Sequence, residues 1–307
     1  MTEHKGKTAL VTGATGFVGS HLVRRLVGDG WDVHLIVRPQ SVLGLIEDLK
    51  DRVIPHVYDG SVACLIDIVA KSKPAVVFHL ASLFLAQHRS EDVEPLVASN
   101  ILFAAQLVEA MAVNGVHQLV NTGTSWQHFE NRAYSPVNLY AATKQAFEAI
   151  LQYYLETTPL RVITLKLFDT YGPGDPRPKL FTLLRRVAEG QEPLAMSPGE
   201  QLIDLVHIDD VVDAFVLAAE RLLSTVAIGH ECYSVSSGNP LKLRDLVELY
   251  GRVTGKALPI TWGGRSYRPR EVMIPWNMGL VLPGWRPQVG LKEGIRRMEV
   301  NCEGELR

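Results

Sequence analysis

The feature that most constrains how this chain can fold is a glycine-rich segment, TGATGFVG, at residues 12–19. An apolar run of strand type at 8–11 precedes it, and residues 17–28 carry apolar side chains at helical spacing. Alone, such a segment would predict only a tight loop, but a strand before it and a helix after it form the first unit of a dinucleotide-binding fold. Gly13 permits the sharp turn, Gly16 leaves room for a pyrophosphate beside the backbone, and Gly19 lets the helix pack closely on the strand. Free backbone N–H groups would bind the phosphates, so we expect cofactor contacts at Gly13, Thr15, Gly16, Phe17, Val18 and Gly19.

The first 170 residues alternate between short strand-type runs and amphipathic helices, which predicts an α/β fold with a Rossmann-type, doubly wound parallel sheet. We predict strands at 8–11, 32–37, 53–57, 75–80, 117–122 and 161–167, and helices near 17–28, 61–71, 93–114 and 138–157. Beyond residue 171 the connections become rich in Pro and Gly, which indicates a smaller α/β C-terminal lobe. The segment 206–212 starts another helix, with Asp209 as its N-cap, and returns the chain to the first lobe. We therefore assign 1–170 and 206–238 to an NAD(P)-binding domain, and 171–205 and 239–307 to a substrate-binding domain.

Composition and charge argue against several classes of partner. The 307 residues are 47% hydrophobic, enough for a large buried core, and the net charge is -2, so no global field would attract nucleic acid or an anionic membrane. Cys64, Cys232 and Cys302 are few and far apart, which fits a reducing compartment better than a disulfide framework or a zinc site. Residues 1–7 lead straight into the first strand, so we expect neither a signal peptide nor a membrane span, and a cytoplasmic protein.

An arginine follows the second strand, where an NAD site normally carries an acidic residue for the ribose 2′-hydroxyl. The guanidinium of Arg38 can bind a 2′-phosphate bidentately, with Ser41 as a second donor, so we predict NADP(H) in preference to NAD(H). A solvated arginine at a strand end is the alternative. After the third strand, Asp59, which precedes Gly60, would accept a hydrogen bond from the adenine amino group. We therefore place the adenosine end of the cofactor against Arg38, Ser41, Asp59 and Gly60.

The fourth strand closes with the sequence HLAS at residues 79–82. Its small residues would leave room for the ribose of the cofactor, so we predict cofactor contacts at Leu80, Ala81 and Ser82. His79 lies within the strand itself, and we expect it to be structural rather than catalytic.

A tyrosine and a lysine four residues apart are the candidates for the chemistry. Positions i and i+4 of a helix share a face, so Tyr140 and Lys144 would bring a phenol beside an ammonium group. The spacing alone is a weak signal, but the strand before it ends at Thr124, at the edge of the sheet where open α/β folds bind ligands. We expect Lys144 and a positive nicotinamide ring to lower the pKa of Tyr140 from its usual value of about 10. Thr124 would hold the substrate oxygen by a hydrogen bond.

Together these residues resemble the extended short-chain dehydrogenase/reductase (NAD-dependent epimerase/dehydratase) superfamily, in its branch acting on nucleotide-activated sugars. The resemblance covers nearly the whole chain. Besides the glycine motif it rests on residues 79–82, Asn100, 140–144, 171–173, 206–211, 284–287 and 291–295. It implies a first lobe that binds NAD(P), with Asn100 in the cofactor site, and a C-terminal lobe that binds a nucleoside diphosphate sugar. It also implies a catalytic set at Thr124, Tyr140 and Lys144, in which Tyr140 is the general acid or base and Lys144 also binds the nicotinamide ribose.

Departures from the family pattern reduce the number of reactions that we expect this chain to catalyse. The sugar 4,6-dehydratases of the family place an Asp-Glu pair directly after the catalytic threonine, whereas this chain has Ser125 and Trp126, so we do not expect dehydration. Epimerases of the family usually carry the acidic residue that Arg38 replaces. The stretches 122–128 and 166–171 look most like the CDP-4-keto-6-deoxyhexose 4-reductases, of the CDP-abequose and CDP-paratose synthase type. Where many relatives have an asparagine that binds the substrate diphosphate, this chain has Asp169.

The resemblance also suggests where a nucleoside diphosphate sugar would bind. We predict substrate contacts at Ser125, Gln127, His128, Asp169, Arg177, Lys179 and Arg270. Of the basic residues, Arg270 stands where the family has a phosphate-clamping arginine, and Arg177 and Lys179 lie in a Pro-rich loop. The alternatives are solvated positions for the basic residues and a buried structural position for His128.

Three acidic residues close in sequence, Asp204, Asp209 and Asp210, form the one cluster that suggests a metal site. Capping and support of the helix dipole explain them better, so we expect no metal.

The helices predicted at 93–114 and 138–157 are apolar on more than one face. One face would cover the sheet, and the other would pair with a second subunit, as in the family's dimers. Deeper burial within one chain is the alternative to this homodimer.

The sequence thus predicts an NADPH-dependent reductase of the C4 ketone of a nucleoside diphosphate 4-keto-6-deoxyhexose, in which Tyr140 protonates the oxygen at C4. A nucleotide-sugar 4-epimerase with tightly held NAD is the alternative enzyme. A non-catalytic NADP-binding sensor is a third class, but it would need neither Tyr140 nor Lys144.

Overall fold

The fold is described from a computed structural model covering residues 6–190, 192–224 and 229–304, with side chains described as far as residue 300. Residues 1–5 and the side chain of Cys302, which enter the expectations on localisation and redox state, lie outside this part of the chain. The strands are β1 (Thr8–Thr12), β2 (Asp32–Val37), β3 (Val53–Val57), β4 (Val76–His79), β5 (Gln118–Thr124), β6 (Arg161–Leu167), β7 (Asp169–Tyr171), β8 (Leu194–Met196), β9 (Leu202–Ile203), β10 (Leu205–His207), β11 (His230–Val235), β12 (Leu241–Lys242) and β13 (Ile260–Trp262). The helices are α1 (Phe17–Gly28), α2 (Val62–Ser72), α3 (Val93–Val97), α4 (Phe103–Val113), α5 (Leu139–Thr157), α6 (Leu180–Ala188), α7 (Ile208–Ser224), α8 (Leu243–Thr254) and α9 (Leu291–Gly304).

A seven-stranded parallel sheet forms the centre of the fold, in the order β11-β6-β5-β4-β1-β2-β3. The chain winds outward from β1 in both directions, which confirms the predicted Rossmann-type fold. Helices cover both faces: α1 and α7 pack on one side, whereas α2, α4 and α5 pack on the other. All six predicted strands are present within two residues of their predicted ends, because short apolar runs leave a clear signal in the sequence.

The helix predicted at 93–114 is interrupted by a π-helical turn at Ala98–Leu102, between α3 and α4. Such turns inside helices occur frequently at functional sites. Ser90–Val113 has the length and apolar composition of a membrane span, with 39% of its apolar window buried, and core helices have the same composition. Val93, Val97 and Leu102 are exposed on it, at 41%, 40% and 53% of their surface. These side chains are available to a second subunit, and the homodimer stays a prediction.

A third apolar cluster builds the smaller lobe from α6, α8, α9 and the short strands, around Tyr250, Leu246 and Ile295. β7 pairs with β10, and the predicted domain boundaries at 170 and 206 fall inside these two strands. The division between the lobes therefore runs through this small sheet, and the assignment of two domains stays a prediction. After β10 the chain returns through α7 to β11 at the edge of the main sheet, as expected for 206–238.

The three acidic residues near 204–210 have separate partners. Asp204 accepts hydrogen bonds from Ser236 and Ser237, and the Asp210 carboxylate accepts from the backbone N–H groups of residues 288 and 289. The predicted N-cap at Asp209 is wrong, since α7 begins at Ile208 and the ring of His207 accepts from the Asp209 N–H. Asp209 instead pairs with Arg297, 3.2 Å away. Within the described ranges, no three His, Cys, Asp or Glu side chains converge on a possible metal position.

Candidate active site

The glycine-rich segment forms a tight turn at the carboxyl end of β1. Gly13 has a φ of +74°, and a Cβ there would lie 2.6 Å from the Ala81 nitrogen. At Gly19 a Cβ would lie 2.1 Å from the Gly13 oxygen, so this residue sets how closely α1 approaches the strand. At Gly16 a Cβ would meet only the Gly13 oxygen, at 3.4 Å, and the N-terminus of α1 has no side-chain cap. The Gly16 N–H donates to the Gly13 oxygen within the turn, and the uncapped N-terminus of α1 follows it, which fits a dinucleotide pyrophosphate.

The ends of β2 and β3 lie next to this turn in the sheet. Arg38 follows β2, is exposed, and has no ion pair within the described residues. The Ser41 hydroxyl oxygen accepts from the Arg38 N–H, which leaves its own proton free to donate. Asp59 accepts from the N–H and the hydroxyl of Ser61 at the start of α2, and these bonds lower its pKa. Both basic and acidic candidates thus line the edge where the adenosine half of a dinucleotide would lie.

The HLAS segment closes the turn from the other side. The Thr12 hydroxyl accepts from the N–H groups of Leu80 and Ala81, at 3.2 and 3.1 Å, and lies 2.9 Å from Nδ1 of His79. Because that hydroxyl already accepts twice, its proton is directed at His79, which places the histidine proton on Nε2. Burial lowers the pKa of His79 to about 3. The ring is therefore neutral and supports the turn, as expected for a structural histidine.

Tyr140 lies near the start of α5, which is capped by Asn138. The hydroxyls of Ser82, in the segment after β4, and of Thr124, at the end of β5, lie close enough to its phenol to lower its pKa. Burial raises the pKa of Tyr140 to about 12, although both hydroxyls oppose this shift. The expected lowering by Lys144 is therefore wrong for the protein alone, because desolvation disfavours phenolate more strongly than its surroundings favour it. At neutral pH the phenol carries its proton and can act as an acid.

Lys144 follows one turn later on α5 and is 3% exposed. Burial lowers its pKa to about 8, and the carboxylate of Glu148, one further turn along, opposes this. At pH 7 the ammonium form still prevails. The i, i+4 spacing thus places a buried positive charge on the same helix face as the phenol, as predicted.

Asn100 lies in the π-helical turn and is 1% exposed. Its amide oxygen accepts from the Ser82 hydroxyl and the Leu83 N–H, and its amide nitrogen donates to the Leu83 oxygen and the Thr143 hydroxyl. The predicted direct cofactor contact at Asn100 is therefore wrong, since protein partners use both amide atoms. Asn100 instead holds Ser82 against the helix that carries Tyr140.

Two adjoining cavities, of about 460 and 560 Å³, open beside these residues. Both are lined by Ala86, Trp126, Asp169, Leu180, Ile203 and Arg268, so they form one cleft between the main sheet and the smaller lobe. Ser125 and His128, two of the residues predicted to contact the sugar, line the first cavity, and their contact with a sugar stays a prediction. Thr124 and Tyr140 lie behind the walls of the two cavities. Ser125, which follows Thr124, lines the first, and Phe84, whose ring stands edge-on to Tyr140 with centroids 5.0 Å apart, lines the second. The cleft volume suits a ligand of nucleotide-sugar size.

The predicted basic residues divide between the two sides of the cleft. Arg270 lines the first cavity, donates to the Ser135 hydroxyl at 2.7 Å, and lies 4.2 Å over the Phe129 ring. Lys179 lines the second cavity, with its Nζ 3.6 Å from Asp169 Oδ1. This ion pair partly neutralises the Asp169 carboxylate.

Arg177 does not lie in the cleft wall, so its predicted substrate contact is not supported by its position. It is paired with Asp175 and donates to the Thr170 oxygen. Its guanidinium lies 4.5 Å over the ring of Phe17, the first residue of α1. Arg177 therefore braces the glycine turn against the smaller lobe.

Gln127 does not line the cleft either, so the predicted sugar contact at this residue is wrong. It is fully buried behind Thr124, and its amide oxygen accepts from the Thr124 N–H at 3.0 Å. The aromatic wall of the site was not predicted from the sequence. Trp276 stacks on His128 with ring centroids 4.0 Å apart, and Trp126 and Phe84 lie against each other. The only sequence signal for Trp126 was its place directly after the Thr124-Ser125 pair.

The turn, the Thr124-Tyr140-Lys144 set and the adjoining cleft define a dinucleotide-dependent enzyme of the Rossmann type. The chain belongs to the NAD dependent epimerase/dehydratase family, whose model matches residues 9–229.

Curated relatives of this family have different activities. The UDP-glucose 4-epimerase of Mycolicibacterium smegmatis is 30% identical over 308 residues, covering 94% of this chain and 96% of the relative. The CDP-abequose synthase of Salmonella muenchen is 24% identical over 295 residues, covering 95% and 97%. Among solved structures, the UDP-glucose 4-epimerase of Thermus thermophilus in complex with NAD superposes with a TM-score of 0.79 at 25% identity, covering 97% of this chain and 99% of that one. The chain is therefore an enzyme of a family that modifies nucleotide sugars.

Proposed function

We propose that this enzyme reduces the C4 ketone of a nucleoside diphosphate 4-keto-6-deoxyhexose, with CDP as the favoured nucleotide and NADPH as the favoured cofactor. When bound, the dinucleotide supplies the hydride for C4. The Thr124 hydroxyl holds the ketone oxygen, and Tyr140 donates its proton to that oxygen as the C–H bond forms. Lys144 supports the phenolate that remains until a proton returns from solvent.

The observation that carries the cofactor preference is Arg38. It is exposed at the end of β2, has no ion pair within the described residues, and stands beside the free hydroxyl proton of Ser41. A 2′-phosphate would meet a guanidinium and a hydroxyl there, whereas a ribose 2′-hydroxyl would meet no carboxylate. Preference for NADPH suits an enzyme that consumes its cofactor in a net reduction.

The protonation state of Tyr140 supports the same direction. Because burial raises the pKa of this phenol to about 12, the resting enzyme holds a proton ready for the substrate oxygen. Reduction begins with that form. Oxidation of a sugar hydroxyl would first require the phenol to lose its proton.

The second candidate is a nucleotide-sugar 4-epimerase, favoured by the 30% identity with the UDP-glucose 4-epimerase of Mycolicibacterium smegmatis. Epimerisation passes through oxidation and reduction at the same carbon, so it uses the same Thr124, Tyr140 and Lys144. It predicts no net consumption of cofactor. Dehydration is disfavoured by Ser125 and Trp126, neither of which can serve as a carboxylic acid or base.

The test is to mix the purified protein with NADPH and a panel of CDP- and dTDP-4-keto-6-deoxyhexoses and to follow absorbance of the reduced cofactor. We expect oxidation of NADPH with the CDP substrates, and none with Tyr140→Phe. UDP-glucose and UDP-galactose serve as the epimerase arm, analysed by chromatography. Interconversion of these two sugars without NADPH oxidation on the panel would overturn the reductase in favour of the epimerase.

A further inference from the structure

A chain of hydrogen bonds runs from the backbone of Thr124 into the protein interior. The Gln127 oxygen accepts from the Thr124 N–H at 3.0 Å, and the Gln127 nitrogen donates to Glu148 at 2.9 Å and to Gln145 at 2.7 Å. The second oxygen of Glu148 lies 3.2 Å from Nζ of Lys166. One polar path therefore connects the end of β5, helix α5 and strand β6.

This path is buried along its length. Gln127 is 0% exposed, and the side chains of Lys166 and Glu148 are 4% and 9% exposed. A buried ion pair is a costly way to gain stability, because both charges lose their hydration. A buried polar network is explained when its hydrogen bonds hold a particular geometry in place.

The geometry that this path fixes is the turn carrying the substrate-facing hydroxyl. Thr124 closes β5 and is followed by a single 3₁₀ turn at Ser125–Gln127, whose Trp126 N–H donates to the Thr124 hydroxyl at 3.3 Å. Gln127 ends this turn and binds back to the Thr124 N–H. Helix α5, which carries Tyr140 and Lys144, also carries Glu148. The turn and the phenol are thus tied to one helix.

We propose that Gln127 and Glu148, with Lys166 as counter-ion, are positioning residues that hold the Thr124 hydroxyl in register with the Tyr140 phenol. The role assigned to the Thr124 hydroxyl rests on the proposed function, whereas the hydrogen-bond path does not. Neither Gln127 nor Glu148 touches the substrate or the cofactor. Their effect reaches the reaction through the placement of Thr124.

Glu148 also acts on the charge of Lys144. It lies one turn after Lys144 on α5 and opposes the lowering of the Lys144 pKa by burial. The other titratable groups that face these two residues from neighbouring elements are His79, His128, Lys166, His230 and Cys232. Burial favours the neutral form of the three histidines and of the thiol. Glu148 is the one negative charge among them, set against Lys144 and Lys166.

The first test replaces Gln127 by methionine, which keeps the length of the side chain and removes its amide. We expect kcat to fall about 10- to 100-fold, because a small displacement of a substrate-holding group has an effect of that size. KM for the sugar and affinity for the cofactor should change less than about threefold. Gln152→Met is the matched control, since Gln152 lies on the exposed face of α5 and donates to Glu156 on the same helix. Unchanged kcat in Gln127→Met would overturn the proposal.

Hydrogen exchange gives a readout that needs no turnover. In Gln127→Met, the amides of residues 124–127 should exchange faster, whereas those of residues 141–147 should not. If the wild-type enzyme oxidises no NADPH on the sugar panel, the proposed function fails, and this measurement still decides whether Gln127 fixes the turn. Unchanged exchange at residues 124–127 would overturn the positioning role in either case.

A reciprocal exchange separates positioning from stability. Gln127→Glu places a second carboxylate beside that of Glu148 and should lower kcat. The double variant Gln127→Glu with Glu148→Gln restores one donor and one acceptor at this contact and should recover at least a tenth of wild-type kcat. A second double variant, Glu148→Gln with Lys166→Met, removes both charges of the buried ion pair, so neither Glu148 nor Lys166 is left without its partner. With Glu148 neutral, the Lys144 pKa should fall, so the alkaline limb of the kcat profile should move to lower pH. An alkaline limb unmoved in this pair, or no recovery in the reciprocal exchange, would contradict the proposed path.

Discussion

Replacement of Arg38 by alanine should largely remove the preference of the enzyme for NADPH over NADH. The guanidinium is exposed, follows the last residue of β2, and has no ion pair among the residues described. Its removal therefore leaves no internal charge without a partner, and the free energy of unfolding should change by less than about 0.5 kcal/mol. The expected effect lies in binding of the 2′-phosphate alone.

The magnitude follows from the number and kind of contacts that are lost. Hydrogen bonds to a charged group contribute about 1.5–3 kcal/mol in total, and Arg38 would donate them to a dianionic phosphate. At about 1.4 kcal/mol for each factor of ten, the Kd for NADPH should rise roughly 10- to 150-fold. NADH lacks the phosphate, so its Kd should change less than about twofold. The Ser41 hydroxyl remains, which keeps the loss from being complete.

Binding is measured by titration calorimetry with NADPH and NADH, and kcat/KM with either cofactor is measured alongside it. Arg186→Ala, an exposed arginine near the end of α6, is the matched control and should leave both affinities unchanged. Equal affinity of the wild-type enzyme for NADPH and NADH, or an equal loss for both in Arg38→Ala, would refute the assignment of Arg38 to the 2′-phosphate.

Three further predictions test other parts of the site. Tyr140→Phe should lower kcat by about 10²- to 10⁴-fold, because the substrate oxygen loses its proton donor, and calorimetry should show unchanged cofactor affinity. Gly19→Ala places a Cβ 2.1 Å from a backbone oxygen and should lower the free energy of unfolding, measured in urea, by more than about 2 kcal/mol. The control is Gly28→Ala, whose Cβ meets nothing within 4 Å and should not destabilise the fold. Equal stability of the two variants would contradict the packing argument. Asp169→Asn should lower KM for the sugar nucleotide about two- to fivefold, because loss of the half-exposed carboxylate releases Lys179 and removes a charge that repels the diphosphate. An increase in KM would give Asp169 a direct binding role instead.

The main sheet was predictable because its signals are local. The six predicted strands of the main sheet are short apolar runs, and α1 has apolar residues at helical spacing, so its bounds were predicted to the residue. The seventh strand, β11, has the more polar sequence HECYSV and was not predicted. The glycine turn was predictable for the same reason, since Gly13 and Gly19 act within eight residues of each other. Spacing along one helix likewise placed Tyr140 and Lys144 on one face.

The errors have a common physical origin in contacts between residues distant in sequence. Asn100 was assigned to the cofactor, but its partners are Ser82 and Thr143, 18 and 43 residues away. Gln127 was assigned to the sugar, but Glu148 lies 21 residues further on. An amide in a sequence shows which bonds it can make and not which groups will reach it. Burial then decides, because a buried amide takes its partners from the protein.

The pKa of Tyr140 in the protein without its cofactor also differs from the prediction because of contacts between distant segments. Spacing on α5 correctly placed Lys144 nearby, and proximity of a cation favours phenolate. The phenol is nevertheless enclosed by Phe84, Ser82 and Thr124, and the cost of desolvating a phenolate there outweighs the opposing effect of the Ser82 and Thr124 hydroxyls. Enclosure is a property of three elements packed together, so no single segment could reveal it. Its consequence is chemical: a phenol that keeps its proton in the resting enzyme is ready to protonate a reduced ketone, and it must lose that proton before it can oxidise an alcohol.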